Sequence, residues 1–380
     1  MNIGYGFWGF LGDKKFNKDK QEISTPDGNA FYSWSIIKAL EDNNKVFSLM
    51  PDRDKYGFEK LSSNLFKAWA MEDRLNAYKD MIQTIEDSNI EKIIETRKLI
   101  TKHLEQTKLD LVIWEWRWKI PGRNTEEDIG TENFQPDLVL QDLWLNYCKE
   151  NKIPVIVFDL DYKLTLEDIE KYNIYGVIEL GNKWQNLEIA KHKRINIPFD
   201  FTHIHDLEIK EPEDLLVYIG NRYERDWCID KYIPEDVEGI VVHGNWLESN
   251  RDSAQVWPKI KFAKRLQTNE MYEAYSKAAV TPLLAKKEYC EQGFMTARII
   301  EAVFYGCAPL FIEEYQDCKK YIPEDLRPYL IIHDKTEVLQ AAMFFKDHPE
   351  IRKKVIEEMR EHLKFMDCKN FVEDIMQMIK

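Results

Sequence analysis

The chain has 380 residues and a net charge of −14, with 44% hydrophobic and 32% charged residues. This length is long for one hydrophobic core and predicts two domains. The acidic balance excludes a protein that is basic throughout, and no apolar run reaches the length that spans a membrane.

The cysteines and the amino terminus indicate the cellular setting. Six cysteines are scattered without a C-x-x-C pair, which predicts neither a zinc site nor a disulfide framework. The first residues lack the basic region and cleavage site of a signal peptide. We therefore expect a reduced, cytoplasmic location. Local basic patches could still form at 117–123, 191–194 and 259–265, although each run alone is more simply a solvated face.

The amino-terminal half alternates strands with helices. It begins with a strand that becomes a Gly-rich loop, and a long polar helical region at 58–106 interrupts the alternation as an insertion. The predicted strands are MNIGYGFWGF at its start, KVFSLM, LDLVIWEW, IPVIVFDLD and YGVIEL, and the predicted helices are NAFYSWSIIKALEDN and PDLVLQDLWLNYCKEN. Strands separated by helices predict a parallel sheet covered by helices on both faces.

A polar, Pro-containing stretch near 195–213 separates a second alternation of the same kind. Its predicted strands are LLVYIG, GIVVHG, AVTPLLA and APLFI, with helices at 269–278 and 296–305. The end of the chain is helical. We predict domains at 1–200 and 201–355, with the helices of 356–380 packing back on the first domain. Open α/β sheets bind ligands beyond the carboxyl ends of their strands.

Two glycine turns follow strands of the second domain. After Ile219 come Gly220, Arg222 and Arg225, where glycine permits close approach to a ligand and arginine matches phosphate oxygens. The stretch is neither a P-loop nor a G-x-G-x-x-G fingerprint. Taken alone, an ordinary turn with surface arginines is the simpler interpretation, and an ordinary turn is also the simpler interpretation of Gly244 and Asn245 after the next strand.

Arg298 and Glu301 lie three residues apart in an otherwise apolar helix, so they share one helical face. Buried charge is costly unless it is paired or bound. The two side chains therefore either form an ion pair or face a ligand, in which a carboxylate suits a ribose diol and an arginine suits a phosphate.

Strand ends of the first domain carry further candidates. Asp159 and Asp161 end a very apolar strand, where a carboxylate serves either as a general base or as a turn or cap residue. In WEWRWKIPGR, Trp116 is either core or a base-stacking platform. Together, phosphate-type turns, a ribose-type carboxylate and an acidic residue in tandem α/β domains indicate a metal-independent, two-domain nucleotide-sugar glycosyltransferase.

The sequence also resembles the GT-B glycosyltransferases, and within them the T-even phage DNA β-glucosyltransferases. The resemblance is carried by VYIGNRYER, by VVHGNW, by FMTARIIEAVFYGCAPLFIEE with its Arg and Glu three apart, and by KIPVIVFDLDYKL. The last stretch aligns Asp161, followed by Lys163, with the family's catalytic aspartate and thereby selects Asp161 over Asp159. The resemblance implies two Rossmann-like domains that face a central cleft.

The family pattern implies site roles. The donor, a UDP-sugar such as UDP-glucose, would be bound by Gly220, Arg222, Arg225, Gly244, Asn245, Arg265, Arg298, Glu301, Phe7, Trp8 and Gly9. The acceptor would be contacted by Trp116, Arg117, Lys119, Arg123 and Lys163, with Asp161 as the catalytic base. No cofactor is expected to be tightly bound, and a divalent metal would at most aid UDP release.

The implied partner is double-stranded DNA with 5-hydroxymethylpyrimidine bases. Because the chain is acidic, a GT-B transferase that acts on a protein, glycan or small molecule remains an alternative. A nucleotide- or DNA-binding module without catalysis is a third.

Overall fold

A computed structural model describes residues 1–6, 35–37, 39–49, 108–128, 137–181, 191–199, 201, 208–247, 253–266 and 268–380. The predicted insertion at 58–106 and the predicted sugar-binding residues Phe7, Trp8 and Gly9 lie outside these ranges. The chain divides into two compact units. The first comprises 1–180, 184–198 and 368–380, and the second comprises 181–183 and 199–367.

The first unit is built on a six-stranded parallel sheet of order β2-β1-β3-β4-β5-β6. Its strands are β1 (Asn2–Gly6), β2 (Lys45–Ser48), β3 (Leu111–Glu115), β4 (Val155–Asp159), β5 (Gly176–Leu180) and β6 (His192–Ile195). Strands β3, β4 and β5 are buried along their whole length. Their near-continuous apolar runs are typical of strands covered on both faces.

The helices of this unit with described bounds are α1 (Asp137–Glu150), α2 (Leu166–Tyr172) and the carboxyl-terminal helix α11 (Cys368–Ile379), and residues 35–37 and 39–41 are helical as well. Helix α2 begins with a capping box between Thr165 and Asp168. Helix α11 packs Phe371 against Phe158 with ring centroids 5.6 Å apart. The return of the chain to the first unit thus comes at Cys368, whereas the sequence places it at 356.

The second unit repeats the architecture with sheet order β12-β11-β10-β7-β8-β9, again parallel. Its strands are β7 (Asp214–Ile219), β8 (Ile240–His243), β9 (Phe262–Ala263), β10 (Ala278–Pro282), β11 (Ala308–Ile312) and β12 (Ile331–Ile332). Its α-helices are α3 (Asp226–Tyr232), α4 (Ser253–Val256), α5 (Thr268–Lys277), α6 (Lys287–Gln292), α7 (Arg298–Phe304), α8 (Arg327–Leu330), α9 (Lys335–Asp347) and α10 (Pro349–His362). The prediction of a two-domain α/β fold is confirmed.

Buried arginines of α10 fix the short helix α7. Arg360 donates to the carbonyls of Val303 (3.1 Å) and Phe304 (2.8 Å), at the carboxyl end of α7. Arg352, with no exposed surface, donates to the carbonyls of Gly306 and Ala278, among others. A cation at a helix carboxyl terminus is favourable. The two guanidiniums therefore secure the helix whose first turn carries Arg298 and Glu301.

The basic run at 191–194 does not form an open basic patch. Residues 192–194 of this run lie in β6. Lys193 pairs with Asp374 of α11, and His192 lies 3.2 Å from the buried carboxylate of Glu179. An edge strand thus uses these side chains to attach the carboxyl-terminal helix and to satisfy a buried glutamate.

Candidate active site

The turns after β7 and β8 are tied together by hydrogen bonds. Gly220 N donates to His243 O (2.9 Å), and Trp246 Nε1 donates to Gly220 O (2.6 Å). Arg222 N donates to Oδ1 of Asn245 (2.9 Å). Asn245 therefore builds the loop and brings the two predicted glycine turns together.

Positions 220 and 244 both require glycine, because neighbouring atoms lie too close to leave room for a Cβ atom. Gly244 has φ +151, and a Cβ atom there would collide with the carbonyl of Gly220. A Cβ atom on Gly220 would lie 2.5 Å from the Tyr218 hydroxyl and 2.8 Å from Nη2 of Arg298. The absence of side chains at these two positions lets Arg298 reach the end of β7.

The two candidate phosphate arginines occupy different environments. Arg225 is buried, and its Nη1 donates to the carbonyls of Asn221 (3.1 Å) and Tyr223 (2.9 Å), which closes the turn. Arg222 forms a two-pronged ion pair with Asp226, with Nε–Oδ1 2.8 Å and Nη2–Oδ2 2.7 Å. Asp226 is about half exposed, so the pair is accessible to solvent and an anion can compete for Arg222.

Arg298 and Glu301 are both half-buried in the first turn of α7. Arg298 Nε donates to Ile219 O (2.7 Å), and Nη1 lies 3.4 Å from Oγ1 of Thr296. Within the described ranges, neither a hydrogen bond nor an ion pair joins Arg298 to Glu301 or to any other carboxylate. Burial raises the pKa of Glu301, and the Arg298 charge opposes that rise.

Sequence reasoning missed three tyrosines around Arg298. Tyr218, Tyr275 and Tyr315 are buried, and among the described residues none of their hydroxyls has a hydrogen-bond partner. Burial raises the pKa of Tyr275 and of Tyr315, so both phenols stay protonated. Polar groups buried in this way usually find a partner, and here they lie near Arg298, which has no carboxylate partner among the described residues either. Tyr218, in the quoted VYIGNRYER stretch, was the one sequence signal available.

Arg265 follows the short strand β9 and is exposed. The carbonyl of Lys264 lies 3.0 Å from Nδ1 of His243, at the end of β8. Leu266 is buried in the core beside Tyr275. The segment thus continues the row of strand ends from β7 through β8 to β9.

In the first unit, the strand that precedes Asp161 ends at Asp159. Asp159 is fully buried, and its carboxylate accepts hydrogen bonds from three backbone N–H groups of the following loop. Asp161 is half-buried and Lys163 is exposed. Of the two aspartates, Asp159 is thus occupied by the loop, while the side chain of Asp161 retains solvent contact.

The predicted acceptor residues differ in exposure. Trp116 is 5% exposed and lies edge-on to Tyr172, and Arg117 is 7% exposed. Lys119 is exposed and Arg123 half-buried. The structure therefore makes Trp116 a core residue, as the simpler interpretation held, and a polyanion could reach Arg117 only after that side chain moved.

The described residues contain no group of three His, Cys, Asp or Glu side chains placed to hold a metal ion. Among the same residues, none of the helices has the length and apolar character needed to cross a bilayer.

The chain is similar to known glycosyltransferases. Residues 225–377 match the model of a family described as glycosyl transferase-like. The chain has the GT-B fold and carries a glycosyltransferase-like domain. The predictions of the GT-B fold and of a glycosyltransferase are thereby confirmed. A search of curated proteins found no match.

Solved structures cover nearly the whole chain at low identity. The β-glucosyltransferase of T4 phage, in complex with UDP and Mn²⁺, superposes with a TM-score of 0.55 at 14% identity, covering 98% of this chain and 97% of that one. HepE from Anabaena, in complex with UDP-glucose, gives 0.54 at 10% identity, covering 100% and 98%. At such identities the likeness establishes the fold, and the site residues stay predictions.

Proposed function

We propose that the chain is an inverting glycosyltransferase that moves a sugar from a UDP-sugar to a hydroxyl acceptor. The observation that carries the proposal is Arg298. Its half-buried guanidinium is attached to the end of β7, has no carboxylate partner among the described residues, and shares a helical turn with Glu301. A cation placed at strand ends without an anion suits a diphosphate.

The donor would lie across the strand ends of the second unit. Arg298, with Arg222 or Arg225, would neutralise the diphosphate as the bond to the sugar breaks and charge develops on the leaving UDP. Glu301 would accept hydrogen bonds from the ribose hydroxyls. Backbone at 264–266 would flank the uracil. UDP-glucose is the donor we favour, since both superposed enzymes have been solved with UDP or UDP-glucose.

Asp161 would act as the general base. It would remove the proton of the acceptor hydroxyl as that oxygen attacks the anomeric carbon in line with the departing UDP. A single displacement of this kind inverts the anomeric configuration. Asp161→Asn is expected to abolish transfer and leave UDP binding unchanged.

The acceptor we favour is a 5-hydroxymethylpyrimidine in duplex DNA. The support is the whole-chain fold likeness to a β-glucosyltransferase that is described as a DNA-modifying enzyme, with 12% identity and a TM-score of 0.52. The target base would have to be flipped out of the duplex. Lys119, Arg123 and Lys163 are the accessible phosphate contacts, and Arg117 would join them after rearrangement.

A second candidate is a protein, glycan or small-molecule acceptor. Besides the net charge of −14, one feature of the second unit favours it. A groove of about 700 Å³ beside the β7 turn is lined by Arg222, Lys287, Tyr223 and Trp227, but also by Glu224, Asp226 and Glu288. Three carboxylates among its walls make the groove poorly suited to a phosphate backbone.

The deciding experiment incubates the protein with UDP-glucose, UDP-galactose or UDP-N-acetylglucosamine and duplex DNA that contains hydroxymethylcytosine or hydroxymethyluracil. Digestion to nucleosides and mass spectrometry would reveal a glycosylated base. UDP-glucose hydrolysis without base modification would favour the second acceptor class. Neither reaction, with intact UDP binding, would identify a binding module without catalysis. We propose a cytoplasmic location, where the six buried thiols would stay reduced.

A further inference from the structure

Asp159 organises the loop that carries Asp161. Its Oδ1 accepts hydrogen bonds from the backbone N–H groups of Asp161 (3.3 Å) and Lys163 (3.1 Å). Its Oδ2 accepts from the N–H of Leu164 (2.8 Å). One fully buried carboxylate thus fastens three of the five residues that follow it.

The loop is anchored at its far end as well. The Tyr162 hydroxyl donates to the carbonyl of Leu180 on β5, while its backbone takes the left-handed φ of +56. Thr165 then begins α2 with its capping box. Between these two anchors, the position of Asp161 depends on the hydrogen bonds that Asp159 accepts.

We propose that Asp159 is a positioning residue, whose ionised carboxylate holds Asp161 in the geometry needed to deprotonate the acceptor. This inference rests on the base role of Asp161 in the proposed function. A general base must lie within hydrogen-bond reach of the proton it removes, and small displacements of catalytic groups have large effects on rate.

The same contacts give the loop a dependence on pH. Burial raises the pKa of Asp159 to about 6, while the three N–H bonds oppose that rise and the nearby Asp161 charge adds to it. A protonated carboxyl oxygen no longer accepts as strongly, so the loop loosens as the pH falls below this value. The other titratable groups of the neighbouring elements are Lys163, Glu179 with His192 on β5 and β6, Glu115 with Tyr5 on the opposite face, and Lys193 with Asp374.

The first test compares Asp159→Asn with a matched control, Asp168→Asn. Both replace an aspartate by its isosteric amide, but among the described residues the carboxylate of Asp168, in the first turn of α2, accepts its hydrogen bonds from Thr165. In Asp159→Asn, an amide NH₂ would face the Leu164 N–H. We expect its kcat with UDP-glucose and hydroxymethylated duplex to fall about a hundredfold. KM for UDP-glucose should stay within twofold of the wild-type value. The fall in kcat that we expect below about pH 6 in the wild-type protein should be absent from the variant. Asp168→Asn should retain wild-type kcat.

A second measurement needs no turnover. In hydrogen-exchange measurements on the wild-type protein, we expect the protection factor of the Leu164 amide to fall about tenfold as the pH drops from 7 to 5. The protection factor of the Ile169 amide in α2, which donates to the Thr165 carbonyl, should not change. Unchanged protection at Leu164, or wild-type kcat and pH profile in a folded Asp159→Asn protein, would overturn the inference. Full activity of Asp161→Asn would instead refute the base role, and with it the proposed function, so the two failures are distinguishable.

Discussion

Arg298 and Gly220 approach so closely that a Cβ atom on the glycine would lie 2.8 Å from Nη2 of the arginine. The same atom would lie 2.5 Å from the Tyr218 hydroxyl. The arginine therefore reaches the end of β7 only because position 220 lacks a side chain. The glycine turn and the helix of Arg298 thus pack directly together, and they are the two parts of the anion site that we propose.

Gly220→Ala is the direct test of this relationship. The methyl group would displace Arg298 from the Ile219 carbonyl, and we expect the Kd for UDP to rise about tenfold or more, a loss near 1.4 kcal/mol. Isothermal titration calorimetry would measure it. Gly176→Ala, in the first unit and away from Arg298, is the control, because the atom nearest to its methyl group would be the flexible end of Met378, followed by the Lys191 carbonyl at 3.3 Å. Equal UDP affinity in both variants would contradict the anion site.

Glu301→Gln tests the ribose contact. A hydrogen bond to a charged group contributes about 1.5–3 kcal/mol, so the Kd for UDP should rise roughly ten- to hundredfold. The substitution should hardly change the already weaker binding of 2′,3′-dideoxy-UDP, because that analogue lacks the diol. Glu291→Gln, on the exposed surface of α6, is the matched control. A similar loss for both nucleotides would remove Glu301 from the ribose site.

The pKa shift of Glu301 predicts a pH dependence of UDP binding. Because burial raises this pKa, the carboxylate is protonated at a higher pH than an ordinary glutamate. Acceptance of two hydroxyl hydrogen bonds requires the ionised form, so UDP affinity should fall as the pH decreases through that raised value. Titrations between pH 8 and pH 5 would show the fall in the wild-type protein. The Glu301→Gln variant should lack this contribution.

Substitutions of Arg222 and Arg225 should have different effects on UDP binding and on the free energy of unfolding. Arg222→Gln releases a solvent-accessible ion pair, so we expect weaker UDP binding and a change in the free energy of unfolding within about 1 kcal/mol. Arg225→Gln removes buried donors from two turn carbonyls, so we expect a loss of about 2 kcal/mol or more. Urea unfolding and UDP titration of both variants would settle the assignment. The opposite pattern would make Arg225 the phosphate ligand.

The elements that the sequence predicted well are those with a local signal. The apolar runs of β4 and β7 and the glycines that end β7 and β8 mark buried parallel strands and their turns. Arg298 and Glu301 stood out because charge is rare in such an apolar helix. Two-residue strands such as β9 and β12 lack any periodic pattern, so only the neighbouring strands define them.

The parts that the sequence could not predict depend on contacts between distant residues. Nothing local in VYIGNRYER distinguishes the buried Arg225 from the accessible Arg222. Likewise, DLD contains two aspartates in equivalent local settings, and only the folded loop directs three N–H groups to Asp159. The hydroxyls of Tyr218 and Tyr275, which have no hydrogen-bond partner in the described part of the chain, become buried only when α5, α7 and β7 pack together.

Arg352 gives a last prediction, on stability. Its fully buried guanidinium donates to the carbonyls of Lys210 (2.9 Å), Ala278 (2.7 Å), Ala279 (3.0 Å) and Gly306. Arg352→Met fills a similar volume but leaves these carbonyls without their donor, and each unsatisfied buried group costs about 1–3 kcal/mol. We expect the free energy of unfolding to fall by roughly 3–5 kcal/mol in urea denaturation. Lys353→Met, on the exposed side of the same helix, should change it by less than about 0.5 kcal/mol. Because Arg352 and Arg360 together hold the carboxyl end of α7, the folded fraction of Arg352→Met should also bind UDP more weakly. Equal stability of the two methionine variants would show that these carbonyls find other partners.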